Sequence, residues 1–208
     1  MELNKEQIEF LNRCTLGKWT LNEKTGLVDI EGRFYCYDEN LTDFKGVKFG
    51  VVTGDFRCFN NSLTSLVGAP KKVGGDFNCT NNKLTSLVGA PQEVGGDFCC
   101  YYNKLTSLEG APQEVGGYFY CDSNKLTSLE GAPQEVGGNS NCDGNTISQK
   151  TIDLVWKTMQ GKKFEYWEAL CMLKDRIPEG HWKKMSKGLE DKITPDAIKT
   201  YSIISRYR

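Results

Sequence analysis

With 208 residues, 38% of them apolar, and a formal net charge of −1, the chain is large enough for one domain with a real core. No apolar run approaches the roughly 18 residues of a membrane span, and neither charge sign dominates as it does in a strongly basic nucleic-acid binder. The neutral total is a cancellation: residues 30–148 hold 14 acids and 9 bases, and residues 149–208 hold 8 acids and 13 bases.

The start, Met1-Glu2-Leu3-Asn4-Lys5-Glu6, mixes both charges and lacks the apolar stretch of a secretory signal. Asn4 with Gln7 three residues on predicts a helix N-terminus, and Leu3, Ile8, Phe10 and Leu11 give that helix apolar material. Trp19–Leu21 and Leu27–Ile30 read as two strands around Asn22-Glu23-Lys24-Thr25-Gly26. Residues 1–32 are therefore expected to form a helix and β-hairpin cap.

From residue 33 the chain repeats. Leu63-Thr64-Ser65-Leu66 recurs every 21 residues at Leu84, Leu105 and Leu126, each time followed by x-Gly-Ala-Pro and then x-x-Val-Gly-Gly. Columns of Phe34, Phe56, Phe77, Phe98 and Phe119, of Cys36, Cys58, Cys79, Cys100, Cys121 and Cys142, and of Asn61, Asn82, Asn103, Asn124 and Asn145 run through it. A fixed period of this size marks a solenoid, whose turns bury their apolar faces only against one another. Phe and Cys stand two apart, so both face inward from one strand. Asn carries a donor and an acceptor and suits the turn out of that strand. Gly-Ala-Pro and Val-Gly-Gly predict a short, extended outer return, because Pro and paired Gly disfavour a helix. The expected architecture is α+β: one parallel sheet with one short strand per turn over residues 33–147, followed by a small helical domain over residues 148–208. In that tail Ile152, Val155, Trp156 and Met159 have helical spacing, as do Trp182, Met185 and Leu189, and Thr194-Pro195 reads as a helix start.

Six of the nine cysteines lie in the inner column, so buried, reduced thiols are expected, in a reducing cytoplasmic setting. A ladder spreads its sulfurs along a line, which suits neither a metal nor an iron–sulfur cluster, and no cofactor is expected.

The repeat resembles the leucine-rich repeats of bacterial effector proteins, L-x-x-L-P-x-L-P-x-x-L-x-x-L-x-V-x-x-N, with Gly-Ala-Pro near Leu-Pro and Phe-x-Cys near Leu-x-Val. The wording LTSLEGAPQEVGG, with the lead-in Trp19-Thr20-Leu21-Asn22 and Gly26-Leu27-Val28-Asp29, is closer still to small leucine-rich-repeat proteins of tailed bacteriophages. That resemblance covers about residues 18–147. It implies a leucine-rich-repeat fold, a viral origin, a place in the host cytoplasm and a protein partner. The ubiquitin-ligase domain of some effectors is too large for the tail and is not carried over.

Function is expected on the concave face, at the strand positions flanking Phe and Cys. These vary freely while the inward ones barely change. Tyr35, Tyr37, Phe59, Tyr101, Tyr118 and Tyr120 supply aromatic anchors of the kind interfaces favour. Asp55, Asp76, Asp97 and Asp122 supply charge that steers a basic partner, with Arg57 among them. Stacked Asp55, Asp76 and Asp97 are expected to repel one another. No catalytic residue is expected: the lone histidine, His181, has no evident nucleophile beside it. Lys183, Lys184, Lys187, Arg206 and Arg208 make the tail basic, but no nucleic-acid motif accompanies them and the acidic solenoid repels phosphate. The expectation is a non-enzymatic, virus-encoded module that engages, and by extension inhibits, a host protein. The alternative is a structural or assembly protein that self-associates or docks on a virion.

Overall fold

A computed structural model of the protein describes residues 2–127 and 129–146, together with Trp182, Ser186, Ile193 and Pro195. It is a parallel β-solenoid of about five turns, with one helix of any length among the described residues. That helix, α1 (Lys5–Cys14), begins as its sequence dictates: Asn4 Oδ1 accepts from Gln7 N at 2.9 Å, and Gln7 Oε1 accepts from Asn4 N at 3.0 Å. It buries Phe10, Leu11 and Cys14, and the Phe10 ring meets Phe34 edge-on with centroids 5.4 Å apart.

Strands β1 (Thr15–Asn22) and β2 (Leu27–Tyr35) form an antiparallel hairpin. At its turn, Asn22 Oδ1 accepts from the N–H groups of Lys24 and Thr25. Strand β2 then seeds two parallel ladders. Its first half pairs Val28 and Ile30 with β3 (Phe49–Val52); its second half pairs Phe34 and Tyr35 with β4 (Phe56–Arg57). The β4 ladder continues in register through β6 (Phe77–Asn78), β8 (Phe98–Cys99), β10 (Phe119–Tyr120) and β12 (Ser140–Asn141). The β3 ladder continues through β5 (Lys72–Val73), β7 (Glu93–Val94), β9 (Glu114–Val115) and β11 (Glu135–Val136).

One short strand per turn is thus corrected to two. The outer return is extended, as Pro and Gly-Gly suggest, and its backbone also pairs with the next turn. The reason is close approach. A Cβ on Gly74, Gly95, Gly116 or Gly137 would stand 2.1–2.3 Å from a carbonyl oxygen of the preceding turn, so only glycine lets successive returns come within bonding distance. Gly95 N, for example, donates to Val73 O at 2.9 Å.

Between the ladders lies the core. Phe34, Phe56, Phe77, Phe98 and Phe119 stack with centroids 5.1–5.7 Å apart and are fully buried. The inner Cys column, both repeat leucines and the Val column through Val115 are buried beside them. The Asn column works as a staple. Asn82 Nδ2 donates to Cys79 O of its own turn and to Cys58 O of the preceding turn, both at 3.0 Å, while its Oδ1 accepts from Leu63 N at 2.9 Å. Asn103 and Asn124 repeat this geometry. Trp182 is buried within the same hydrophobic cluster and Ile193 packs partly buried against it. The expected C-terminal helical domain otherwise lies outside the described residues.

The thiols follow from this packing. Every one of the eight described cysteines except Cys99 is buried, and Cys121 Sγ and Cys142 Sγ share a hydrogen bond at 2.7 Å. Burial holds Cys36, Cys58, Cys79, Cys100 and Cys121 well above the ordinary thiol range. Even half-buried Cys99 is pushed up to about 12, by burial first and then by Asp97 and Asp76. It is therefore a sluggish nucleophile despite pointing outward. Thiol labelling of native protein at neutral pH should leave all eight slow to react, with rapid labelling only after denaturant. Fast native labelling of the inner column would contradict the fold.

Candidate protein-binding face

The outward positions of the β4–β12 ladder form three columns. The first runs Arg33, Asp55, Asp76, Asp97, Tyr118; the second Tyr35, Arg57, Asn78, Cys99, Tyr120; the third Tyr37, Phe59, Thr80, Tyr101, Asp122. Every sequence-designated residue stands on this one face, because the buried partners Phe and Cys alternate with it along each strand. The two ends of the face differ in chemistry.

At the N-terminal end the charges are paired. Asp55 Oδ2 accepts from the Tyr35 hydroxyl at 3.0 Å and from the Arg57 guanidinium at 3.1 Å, with Arg33 Nε 3.7 Å away. Arg57 also reaches Asp76 Oδ2 at 3.3 Å and lies 5.3 Å from the centroid of the Tyr35 ring. Beside them Tyr37 and Phe59 stack face to face at 4.6 Å, with Tyr37 43% exposed.

The aspartate ladder does something the sequence alone concealed. Asp55 Oδ1 accepts from Asp76 N at 3.2 Å, Asp76 Oδ1 from Asp97 N at 2.9 Å, and Asp97 Oδ1 from Tyr118 N at 2.7 Å. Each carboxylate thus clasps the backbone of the next turn, and Arg57 bridges the first two, so the expected repulsion is offset. The second glycine of each Gly-Gly makes room: a Cβ on Gly75, Gly96 or Gly117 would stand 2.2–2.3 Å from the Oδ1 of Asp55, Asp76 or Asp97. The signal was the recurrence of Gly-Gly-Asp over Gly74–Asp76 and Gly95–Asp97.

At the C-terminal end no ion pair reaches the aromatics and acids among the described residues. Tyr118 and Tyr120 stack at 5.8 Å, Tyr118 being 41% exposed, and Tyr101 meets Tyr102 edge-on at 5.5 Å. Among the described residues, the ion pairs of this face all lie between Arg33 and Asp76. Asp97, Asp122 and Asp143 are thus left without a cationic partner there.

The two ends titrate in opposite senses. Burial alone would raise the Asp55 carboxyl, but the bonds from Asp76 N and Tyr35, with Arg57 and Arg33, outweigh it and hold it below the usual range. Burial first, and then Asp143, raises Asp122. A lowered folded-state value adds stability that is present above the unfolded value and lost as pH falls through the folded one. A raised value works the other way, so Asp122 favours the folded state more as pH falls. Asp55→Asn should therefore destabilise at neutral pH, with the deficit shrinking as acid protonates the wild-type carboxylate. Asp122→Asn should match or exceed wild type at neutral pH. Denaturation midpoints between pH 7 and pH 3 check both; parallel curves for wild type and Asp55→Asn would contradict the clasp.

Fold and face together define a parallel β-solenoid that presents an aromatic and acidic surface. No family model, no curated protein and no solved structure matches the chain.

Proposed function

We propose that this chain is a leucine-rich-repeat module without enzymatic activity that binds a protein partner through its concave face. In this reading α1 and the β1–β2 hairpin cap the first turn, as a solenoid end requires. The observation that carries it is the division of the ladder from β2 to β10: inward positions hold Phe and Cys at every turn, while the outward positions, apart from the Asp55, Asp76 and Asp97 column, change from turn to turn and include six aromatics. Solubility does not require stacked, exposed rings such as Tyr37 on Phe59 or Tyr118 on Tyr120. The acid excess of residues 30–148 suits a partner with a basic surface. A viral origin, host cytoplasm as location, and inhibition as outcome rest on the bacteriophage resemblance of LTSLEGAPQEVGG alone.

Affinity capture from host lysate tests this reading. Wild type should retain one dominant protein, and Tyr118→Ala with Tyr120→Ala should lose it, since truncation of a buried interface tyrosine costs about 2 kcal/mol or more. Glu93→Gln with Glu114→Gln, on the opposite ladder, should retain it. Capture that ignores the tyrosines but fails in the glutamine variant would move the site to the other ladder. Self-association of wild type in place of capture would favour the assembly role.

A further inference from the structure

Strand β1 closes the N-terminal end of the sheet and pairs with β2 alone. Val28 N donates to Lys48 O at 2.8 Å, and Ile30 O accepts from Thr53 N at 3.0 Å, so these residues of β2 turn their polar groups to the next turn. Leu27, Asp29 and Glu31 alternate with them and turn theirs to β1, where the register sets them against Asn22, Thr20 and Lys18. Trp19 and Leu21 lie between those three. Their N–H and C=O groups therefore point away from the sheet. Among the described residues, no backbone hydrogen bond from outside the hairpin reaches Trp19 or Leu21.

The regular part of this edge is symmetric. Gly17 (φ 135°) and Gly32 (φ 129°) face each other across the hairpin and leave ordinary strand geometry there. From Lys18 to Asn22 the strand is unbroken by a glycine, and Thr20 is its midpoint. The two residues with outward backbone groups, Trp19 and Leu21, stand one on either side of Thr20. Their side chains are half-buried against the end of the core, and Asn12 Oδ1 fixes the indole by accepting from Trp19 Nε1 at 2.9 Å. Lys18, Thr20 and Asn22 are exposed on the other face. Lys18 is the one charged residue of Thr15–Asn22, so the edge carries little of the charge that keeps exposed strands apart.

We propose that this edge pairs with the same edge of a second copy, antiparallel, about a twofold axis through Thr20. Trp19 of each copy then exchanges both backbone hydrogen bonds with Leu21 of the other, which satisfies every outward group of the two residues. Thr20 faces its own counterpart and Lys18 meets Asn22, so no like charges stand opposed. On the core side each indole packs beside the other copy's Leu21, and two half-buried side chains cover each other. The symmetric placement of the outward groups about one residue is what makes a second copy the fitting occupant: the contact is self-complementary and closes as a dimer. It lies at the small end of interface sizes, so the dimer is weak and reversible. The sheet then runs on through both solenoids and brings two concave faces into one particle, which favours a partner with repeated sites. The proposal goes beyond the binding role of the concave face and does not depend on it.

Analytical ultracentrifugation of the full chain over a hundredfold concentration range should show a reversible monomer–dimer equilibrium. Thr20→Lys, at an exposed position, should weaken the dimer tenfold or more by setting like charges opposite each other across the axis. Thr20→Cys should give a covalent dimer under a mild oxidant, because opposed residues of a non-hydrogen-bonded pair stand about 4.5 Å apart at Cα. Lys18→Cys, which faces Asn22 of the other copy, should stay monomeric under the same treatment. Amide exchange in wild type needs no variant: Trp19 and Leu21 should slow as concentration rises, while Thr20, bonded within the hairpin, should be slow throughout. A wild type that stays monomeric, a dimer indifferent to Thr20→Lys, or equal cross-linking at positions 18 and 20 would overturn the proposal. So would a dimer lost in Tyr118→Ala with Tyr120→Ala and kept in Thr20→Lys, which would place self-association on the concave face. A monomeric wild type whose captured partner still depends on Tyr118 and Tyr120 would remove the dimer alone and leave the binding face standing.

Discussion

Phe98→Ala should lower unfolding free energy by about 3–5 kcal/mol, the usual cost of truncating a buried aromatic. Phe98 is fully buried and stacks on Phe77 at 5.3 Å and on Phe119 at 5.6 Å, so its removal opens a cavity against two turns. A solenoid has only neighbour contacts to share the loss, and a central turn couples both sides. The expected signature is therefore a lower midpoint together with a shallower transition, as the turns before and after it begin to unfold separately. Lys104→Ala, on an exposed position of the same repeat, should stay within about 0.5 kcal/mol of wild type. Urea denaturation of both variants decides it; equal destabilisation would mean the Phe column is not the core.

Asn103→Ala should cost a comparable amount for a different reason. The buried Asn103 amide donates to Cys79 O at 3.0 Å and Cys100 O at 3.1 Å and accepts from Leu84 N at 3.0 Å. Alanine strands these backbone groups away from water, and each stranded group costs about 1–3 kcal/mol. A loss of at least about 3 kcal/mol is expected. Asn103→Asp separates this from simple volume loss. A carboxylate keeps the bond from Leu84 N but faces two carbonyl oxygens, so its folded-state pKa should rise. Its stability should then recover as pH falls, whereas the deficit of Asn103→Ala should stay flat. Matching pH profiles for the two variants would show that the staple is not made by the amide.

These interactions were legible to very different degrees in the sequence. The Phe, Cys, Leu and Asn columns could be read from periodicity, because stacking places identical residues in identical surroundings. The Asn4–Gln7 capping box was equally readable, since it depends on two residues only three apart in the chain. The second ladder was not. Lys72–Val73 and its equivalents are too short to show strand alternation, and Pro with Gly-Gly looks like a connection, not a pairing edge. The aspartates were misleading in a more instructive way. Their spacing advertises a row of exposed like charges, but Asp76 spends one oxygen on Asp97 N and the other on Arg57. Only the three-dimensional register shows that the carboxylate points along the ladder. The clustering of this face's ion pairs, among the described residues, at its N-terminal end was hidden for the same reason: Arg57 neutralises one carboxylate two residues away and another 19 residues away on the next turn.

The central claim, that the concave face meets a partner, is tested most directly by hydroxyl-radical footprinting of the captured complex against the free protein. Tyr37, Phe59, Tyr118 and Tyr120 carry oxidisable rings on that face, and Val67 and Val88 are exposed elsewhere on the solenoid. The account predicts a marked drop in oxidation at Tyr118 and Tyr120, a smaller or equal drop at Tyr37 and Phe59, and no change at Val67 and Val88. Protection of Val67 and Val88 with the four aromatic residues oxidised as in the free protein would contradict it.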